Sequence, residues 1–168
     1  SEFIRAHFSN RELHGLVYVT GNDWILKIGD NIGADIFNVI AVKDDLDWEQ
    51  KKITQRALET AEEFPNKRLL IHLIPPHHPF KGPIADEKFP SIEEQSSGFF
   101  ADIRKGNVDI SDELLRQAYA ENLDRAIPAT KELLNKLQGK TVVTADHGEF
   151  LGDRCRPIPI KEYGHHGG

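Results

Sequence analysis

The sequence predicts an α/β fold, a mainly parallel sheet with helices on both faces. Short β-branched or apolar runs alternate with stretches of helical period, the pattern of strands joined by crossover helices. One of those runs, "RLLIHLI" at 68–74, is apolar almost throughout, as a strand covered on both faces would be. The 168 residues, 39% of them hydrophobic, suffice for the core of one globular domain, so residues 1–168 are expected to form a single domain.

Four segments read as strands. "LVYVT" (16–20) is β-branched and aromatic and stops at the turn former "GND"; "DIFNVIAV" (35–42) is followed by the acidic loop "KDDLD". "RLLIHLI" stops at Pro75 and Pro76, and "KTVVTA" (140–145) has the clearest strand composition of the four. Between them, "EQKKITQRALETAEEF" places Ile53, Ala57, Leu58, Ala61 and Phe64 on one stripe at helical spacing, and Pro65 and Asn66 end it. A longer helix starts after Ser111, a good N-cap with Asp112 and Glu113 in the first turn, and carries Leu114, Leu115, Ala118, Tyr119 and Leu123 on one face. Pro128 is expected to kink or divide it, and the second half, with Leu133, Leu134 and Leu137, ends at Gly139. From Lys81 to Gly106 no period is visible, which predicts a long surface loop.

Composition excludes several classes of partner. A net charge of −6 without a basic patch argues against nucleic acid. No apolar run approaches the ~20 residues of a membrane span, and no signal-peptide layout is present, so a cytoplasmic protein without a membrane partner is expected. The single cysteine, Cys155, can form neither an internal disulfide nor a thiolate zinc site. Any metal must be held by oxygen and imidazole.

Chemistry-bearing residues collect at two predicted strand ends. Ligands of open α/β sheets bind outside the carboxyl ends of the strands. Asp146 and His147 follow "KTVVTA", and His77 and His78 follow "RLLIHLI" in "PPHHPF". If the strands are parallel neighbours, these residues converge. Gly148 would permit a sharp turn that lets Asp146 and His147 face the same way. A carboxylate with a neutral imidazole suits zinc, manganese or a similar divalent ion. The alternatives are that Asp146 caps a following helix and that His147 is a solvated loop residue. Prolines on both sides of the pair suit His77 to a rigid, functional loop, whereas His78 is expected to be exposed. His72, inside its strand, reads as a hydrogen-bonded core residue, and His7 and His14 as surface residues. "YGHHGG" (163–168) is either a flexible tail or a loop that reaches the same site.

"TVVTADHGEFLGDR", preceded by "AYAENLDRAIPATKELLNKLQGK", resembles the later part of the catalytic domain of the sulfatase-like hydrolases in the alkaline phosphatase superfamily. "RLLIHLIPPHHPFKGP" is similar to their Pro-His-x-Pro-Phe segment, and "VYVTGNDW" to a strand and Asn-containing turn of archaeal-type members. The resemblance implies that Asp146 and His147 bind a divalent metal, zinc or manganese rather than calcium, since Asp-His stands where many sulfatases carry Asp-Asn or Asp-Gln. It implies that His77 holds an oxygen of the transferred group. His165 matches a Gly-His position that either completes the metal site or contacts the ester, with Lys161 as a further candidate for that contact.

The implied activity is hydrolysis of a small anionic ester (sulfate, phosphate or phosphonate) through an enzyme nucleophile. The family's first-strand acids and its Cys/Ser-x-Pro-x-Arg or Ser/Thr nucleophile have no counterpart here. Cys155 follows the DHG triplet instead of preceding it and reads as a buried or incidental thiol, and Thr20 matches a segment after the nucleophile. The expectation is therefore an incomplete domain, inactive alone, within a larger active protein. A degenerate member that binds metal or anion without turnover is the alternative. An unrelated α/β protein with chance histidines would take up no metal.

Overall fold

The computed structural model describes residues 2–22, 24–42, 50–95, 98–155, 157 and 160–165. The chain forms two compact units, one built from Ser1–Ile74 and Ala126–Val143, the other from Pro75–Arg125 and Thr144–His166. The architecture is α/β, a three-stranded parallel sheet flanked by helices together with a small antiparallel sheet.

In the first unit, α1 (Glu2–Phe8) leads into β1 (Glu12–Thr20), followed by α2 (Trp24–Ile28), a 3-10 turn (Asp30–Ile32), β2 (Asp35–Ala41), α3 (Gln50–Glu63) and β3 (Arg68–His72). The strand order is β2-β1-β3, all parallel, and Thr20 pairs with both Ala41 and His72, so the three carboxyl ends lie on one edge. Alternation along β1 sorts the core. Tyr18 packs with Ile4, Phe8, Ile25 and Ile32 on one face, while Val17 and Val19 meet Ile53 and Ala57 of α3 and Leu133 on the other. Burying Val17 and Val19 completely contributes roughly 1.5–3 kcal/mol each. Thr20, also buried, bonds through Oγ1 to the N–H of Asn22 (2.9 Å) and so forms the turn that ends β1. The parallel pairing of 16–20 with 68–72 and the α3 stripe are both present.

Residues 140–145, expected to be a strand, form none. Val and Thr favour strands because they fit a half-buried pleated surface. Val142 and Val143 are instead 73% and 61% exposed, with no ladder partner among the described residues.

The second unit contains α4 (Pro83–Lys88), α5 (Ile92–Gln95) and α6 (Phe99–Lys105), then the first part of α7 (Asp112–Lys136), and ends with the hairpin β4 (Phe150–Cys155) and β5 (Ile160–Gly164). The predicted loop from Lys81 to Gly106 is thus three helices, each too short to display a periodic stripe. Their Phe99, Phe100 and Ile103 enclose Phe80, Leu115, Ala118 and Leu151 in one core. Helix α7 runs through Pro128 without dividing. Proline forfeits its own N–H bond and crowds the i−4 carbonyl, here that of the exposed Asp124, which water can serve, while Ala126 and Ala129 on either side are buried. Ser111 caps α7, its Oγ accepting from the Leu114 N–H at 3.2 Å. The buried stripe is Leu115, Ala118 and Asn122; Leu123, assigned to that face from spacing, is exposed. "KDDLD" and His166 lie outside the described residues, as does the side chain of Cys155 at the end of β4.

Candidate metal centre

The loop that carries His77 is shaped by two buried amides. Asn122, 1% exposed, accepts from the Lys81 N–H (3.0 Å) and donates through Nδ2 to the carbonyls of His77 (3.1 Å), Pro79 (3.3 Å) and Pro76 (3.4 Å). Gln95 takes the Phe80 N–H at 2.8 Å and donates to the Pro90 carbonyl at 2.9 Å. Prolines supply no N–H of their own, so the loop depends on these side chains for its carbonyls. His78 is not exposed as expected. The helices that replace the predicted loop wall it in, with its ring edge-on to Phe100 at 4.8 Å and stacked on Phe99 at 6.1 Å. That burial pushes its pKa down to about 3, helped by the neighbouring His77 and His165, so it is neutral.

His77 Nδ1 lies 2.5 Å from the His78 carbonyl oxygen. A carbonyl only accepts, so the proton sits on Nδ1 and the lone pair on Nε2. Nε2 faces Glu149 Oε1 at 3.9 Å. His165 Nδ1 donates to the same Oε1 at 3.0 Å. The three side chains offer one donor atom each, all within 4.8 Å of one another. Desolvation lowers the pKa of His77 against the opposing pull of the His78 carbonyl and Glu149.

The Glu149 side chain is only 5% exposed, and its Oε2 is buried with no hydrogen-bond partner. A buried carboxylate oxygen left unpaired costs on the order of 1–3 kcal/mol or more. Gly164 delivers His165 into this arrangement. It has φ +80°, and a Cβ there would sit 3.0 Å from Phe100 Cδ2.

Asp146 and His147 lie beside the group. The His147 ring is 4.1 Å from that of His165, centroid to centroid, and its Nε2 is 3.6 Å from Asp146 Oδ2. His147 Nδ1 donates to the Gly148 carbonyl (3.1 Å), which leaves Nε2 as its acceptor nitrogen. The element after Asp146 is β4, so Asp146 caps no helix; its Oδ1 accepts the His147 N–H at 3.1 Å. Because 140–145 is not a strand, neither residue sits at a strand end, and Gly148 has no positive φ and open space around it, so nothing there demands a glycine.

Sequence reasoning thus identified His77, Asp146, His147 and His165, and the structure clusters them; it missed Glu149, the residue that joins His77 to His165. Its signal was a carboxylate directly after Asp-His-Gly and before the apolar pair Phe150 and Leu151. Lys161 is held elsewhere. Its Nζ pairs with Asp112 Oδ2 at 2.5 Å, at the opposite end of ten residues of α7, about 15 Å, from Asn122. His72 accepts from Tyr18 Oη at 2.7 Å, the core role expected of it, and His14 is an exposed partner of Asp35.

No protein-family model, no curated protein and no solved structure matches the chain. Among the described residues no helix is long and apolar enough to cross a membrane.

Proposed function

We propose that this chain supplies the metal-binding and anion-binding half of a hydrolase acting on small sulfate, phosphate or phosphonate esters. The observation that carries the reading is the convergence of His77, His147 and His165, with Asp146 alongside, on Glu149, a buried carboxylate whose second oxygen has no hydrogen-bond partner. Such a donor set fits a divalent transition ion, because imidazole nitrogen with one carboxylate suits zinc or manganese, whereas calcium prefers oxygen alone. The residues that would hold it are drawn from this cluster.

When bound, the ion supplies Lewis acidity toward the nonbridging oxygens on which negative charge accumulates during transfer. The chain's own contribution is positional. Asn122 and Gln95 fix the loop, the His78 carbonyl fixes the tautomer of His77, and Phe80, Phe99 and Phe100 pack behind His78. His147 lies beside the donor set, its ring 4.1 Å from that of His165.

The test is turnover of p-nitrophenyl phosphate, p-nitrophenyl sulfate and an aryl phosphonate with added Zn²⁺ or Mn²⁺, by the 168-residue chain and by the product of the complete reading frame. Little turnover is expected of the chain and robust turnover of the complete product. A complete product that binds the metal yet hydrolyses none of these esters would make the protein a binding module instead.

A further inference from the structure

We infer that His77, Glu149 and His165 form a divalent transition-metal site of their own, with His77 a ligand and the Asp146/His147 pair outside the coordination shell. This deepens the hydrolase reading and rests on the same cluster. It reverses the division of labour that the family resemblance implies, in which His77 serves the ester and Asp146 with His147 the metal.

Three independent features point to it. The first is distance. In a tetrahedral zinc shell with ligands at about 2.0–2.1 Å, neighbouring donor atoms lie roughly 3.3 Å apart. Glu149 Oε1 to His165 Nδ1 is 3.0 Å and to His77 Nε2 3.9 Å, which brackets that spacing, and the three donor atoms fit within 4.8 Å. Asp146 and His147 do not join this group of three.

The second is the state of the carboxylate. Glu149 Oε2 is buried without a partner on a side chain that is 95% removed from solvent by its 5% exposure, while Oε1 faces both imidazoles. A buried charge is tolerated when it is paired or coordinates a metal. A divalent ion held by Oε1 between the two imidazoles would place positive charge directly against this buried carboxylate.

The third is the outer support. Metal-ligating histidines almost always donate their other ring N–H to a carbonyl or carboxylate. His77 does so already, Nδ1–H to the His78 carbonyl, with Nε2 turned toward Glu149. Coordination through His165 Nδ1 requires the tautomer protonated on Nε2, so the proton now shared with Glu149 moves to the outer ring nitrogen. The open positions that three protein ligands leave are those a catalytic ion requires. His147, whose ring lies 4.1 Å from that of His165 at a 30° tilt, then holds that ring in place instead of ligating.

The experiment is isothermal titration of the metal-stripped 168-residue chain with Zn²⁺, Mn²⁺ and Ca²⁺, repeated on Glu149→Gln, His77→Ala, His165→Ala, His147→Ala and Asp146→Asn, with circular dichroism to confirm folding. One Zn²⁺ per chain is expected, Ca²⁺ giving no binding at the same concentrations. Glu149→Gln, nearly isosteric, should weaken Zn²⁺ at least 100-fold, as should His77→Ala and His165→Ala. His147→Ala and Asp146→Asn should stay within about 10-fold of the parent, the effect of supporting residues. Loss of Zn²⁺ in His147→Ala or Asp146→Asn with retention in His77→Ala would overturn the assignment, as would uniformly weak binding in every variant, the mark of adventitious histidine contacts. Should one variant fail to fold, Glu149→Gln and His77→Gln carry the comparison. Because the readout is binding, tight Zn²⁺ without turnover would fail the hydrolase reading alone, and turnover surviving Glu149→Gln would fail this assignment alone.

Discussion

Asn122→Ala should loosen the loop that presents His77. The amide is 1% exposed and makes its four contacts with one backbone N–H and three carbonyls between Pro76 and Lys81. Nδ2 has two hydrogens for three acceptors, so the loss amounts to about three hydrogen bonds. At about 1–1.5 kcal/mol each, with a small cavity added, the cost is about 3–5 kcal/mol. For a chain of this length that lowers Tm by about 10 °C, readable by circular dichroism with a urea series as a second measure. Asn122→Asp keeps the acceptor for Lys81 but aims a carboxylate at three carbonyl oxygens. Its folded-state pKa would lie above the ordinary carboxyl value, so the folded state binds the extra proton and this variant should recover stability, relative to the parent, as pH falls. Both variants should bind Zn²⁺ more weakly. An alanine variant within about 1 kcal/mol of the parent, with unchanged metal affinity, would show that the amide does not hold the loop.

Other predictions test separate features. Lys161 and Tyr163 hold the Asp112 carboxyl below its ordinary value, so this group contributes stability that is present above pH 3.8 and lost as pH falls through its lowered pKa. Thermal unfolding from pH 6 to 2.5 should therefore show a steeper acid limb for the parent than for Asp112→Asn, and parallel curves would contradict this. Val142→Ser and Val143→Ser should each change stability by no more than about 0.5 kcal/mol, given their exposure; in a urea series, a loss above about 2 kcal/mol would mean that 140–145 is a packed strand. Gly164→Ala places a Cβ against Phe100 at positive φ and should cost about 1–2 kcal/mol while weakening Zn²⁺ through displacement of His165. Unchanged Tm and affinity would remove Gly164 from the account.

Where a single periodicity governed a segment, the sequence was legible. Strand β1, helix α3 and the N-cap of α7 follow from alternation, a 3.6-residue stripe and Ser111, each a local property. Residues 140–145 misled because β-branched composition reports suitability for a sheet and says nothing of a neighbouring strand. Helices α4 to α6 escaped because four to seven residues cannot show a stripe, and Asn122 because an apolar pattern passes over a polar residue in the buried face and selects Leu123 instead. At the candidate site the residue types were visible and their convergence was expected, but through a strand end at 140–145 that does not form and without Glu149. Glu149 meets His77 and His165 across separations of 72 and 16 residues, set by the hairpin and the loop rather than by spacing along the chain.

The central claim is the identity of the ligands, and the most direct measurement is anomalous diffraction at the zinc edge from crystals of the Zn²⁺-loaded chain. A single peak is expected at about 2.0–2.2 Å from His77 Nε2, His165 Nδ1 and a Glu149 carboxylate oxygen, with His77 Nδ1 still bonded to the His78 carbonyl. A peak bound instead by Asp146 and His147, with His77 outside the coordination shell, would contradict the assignment.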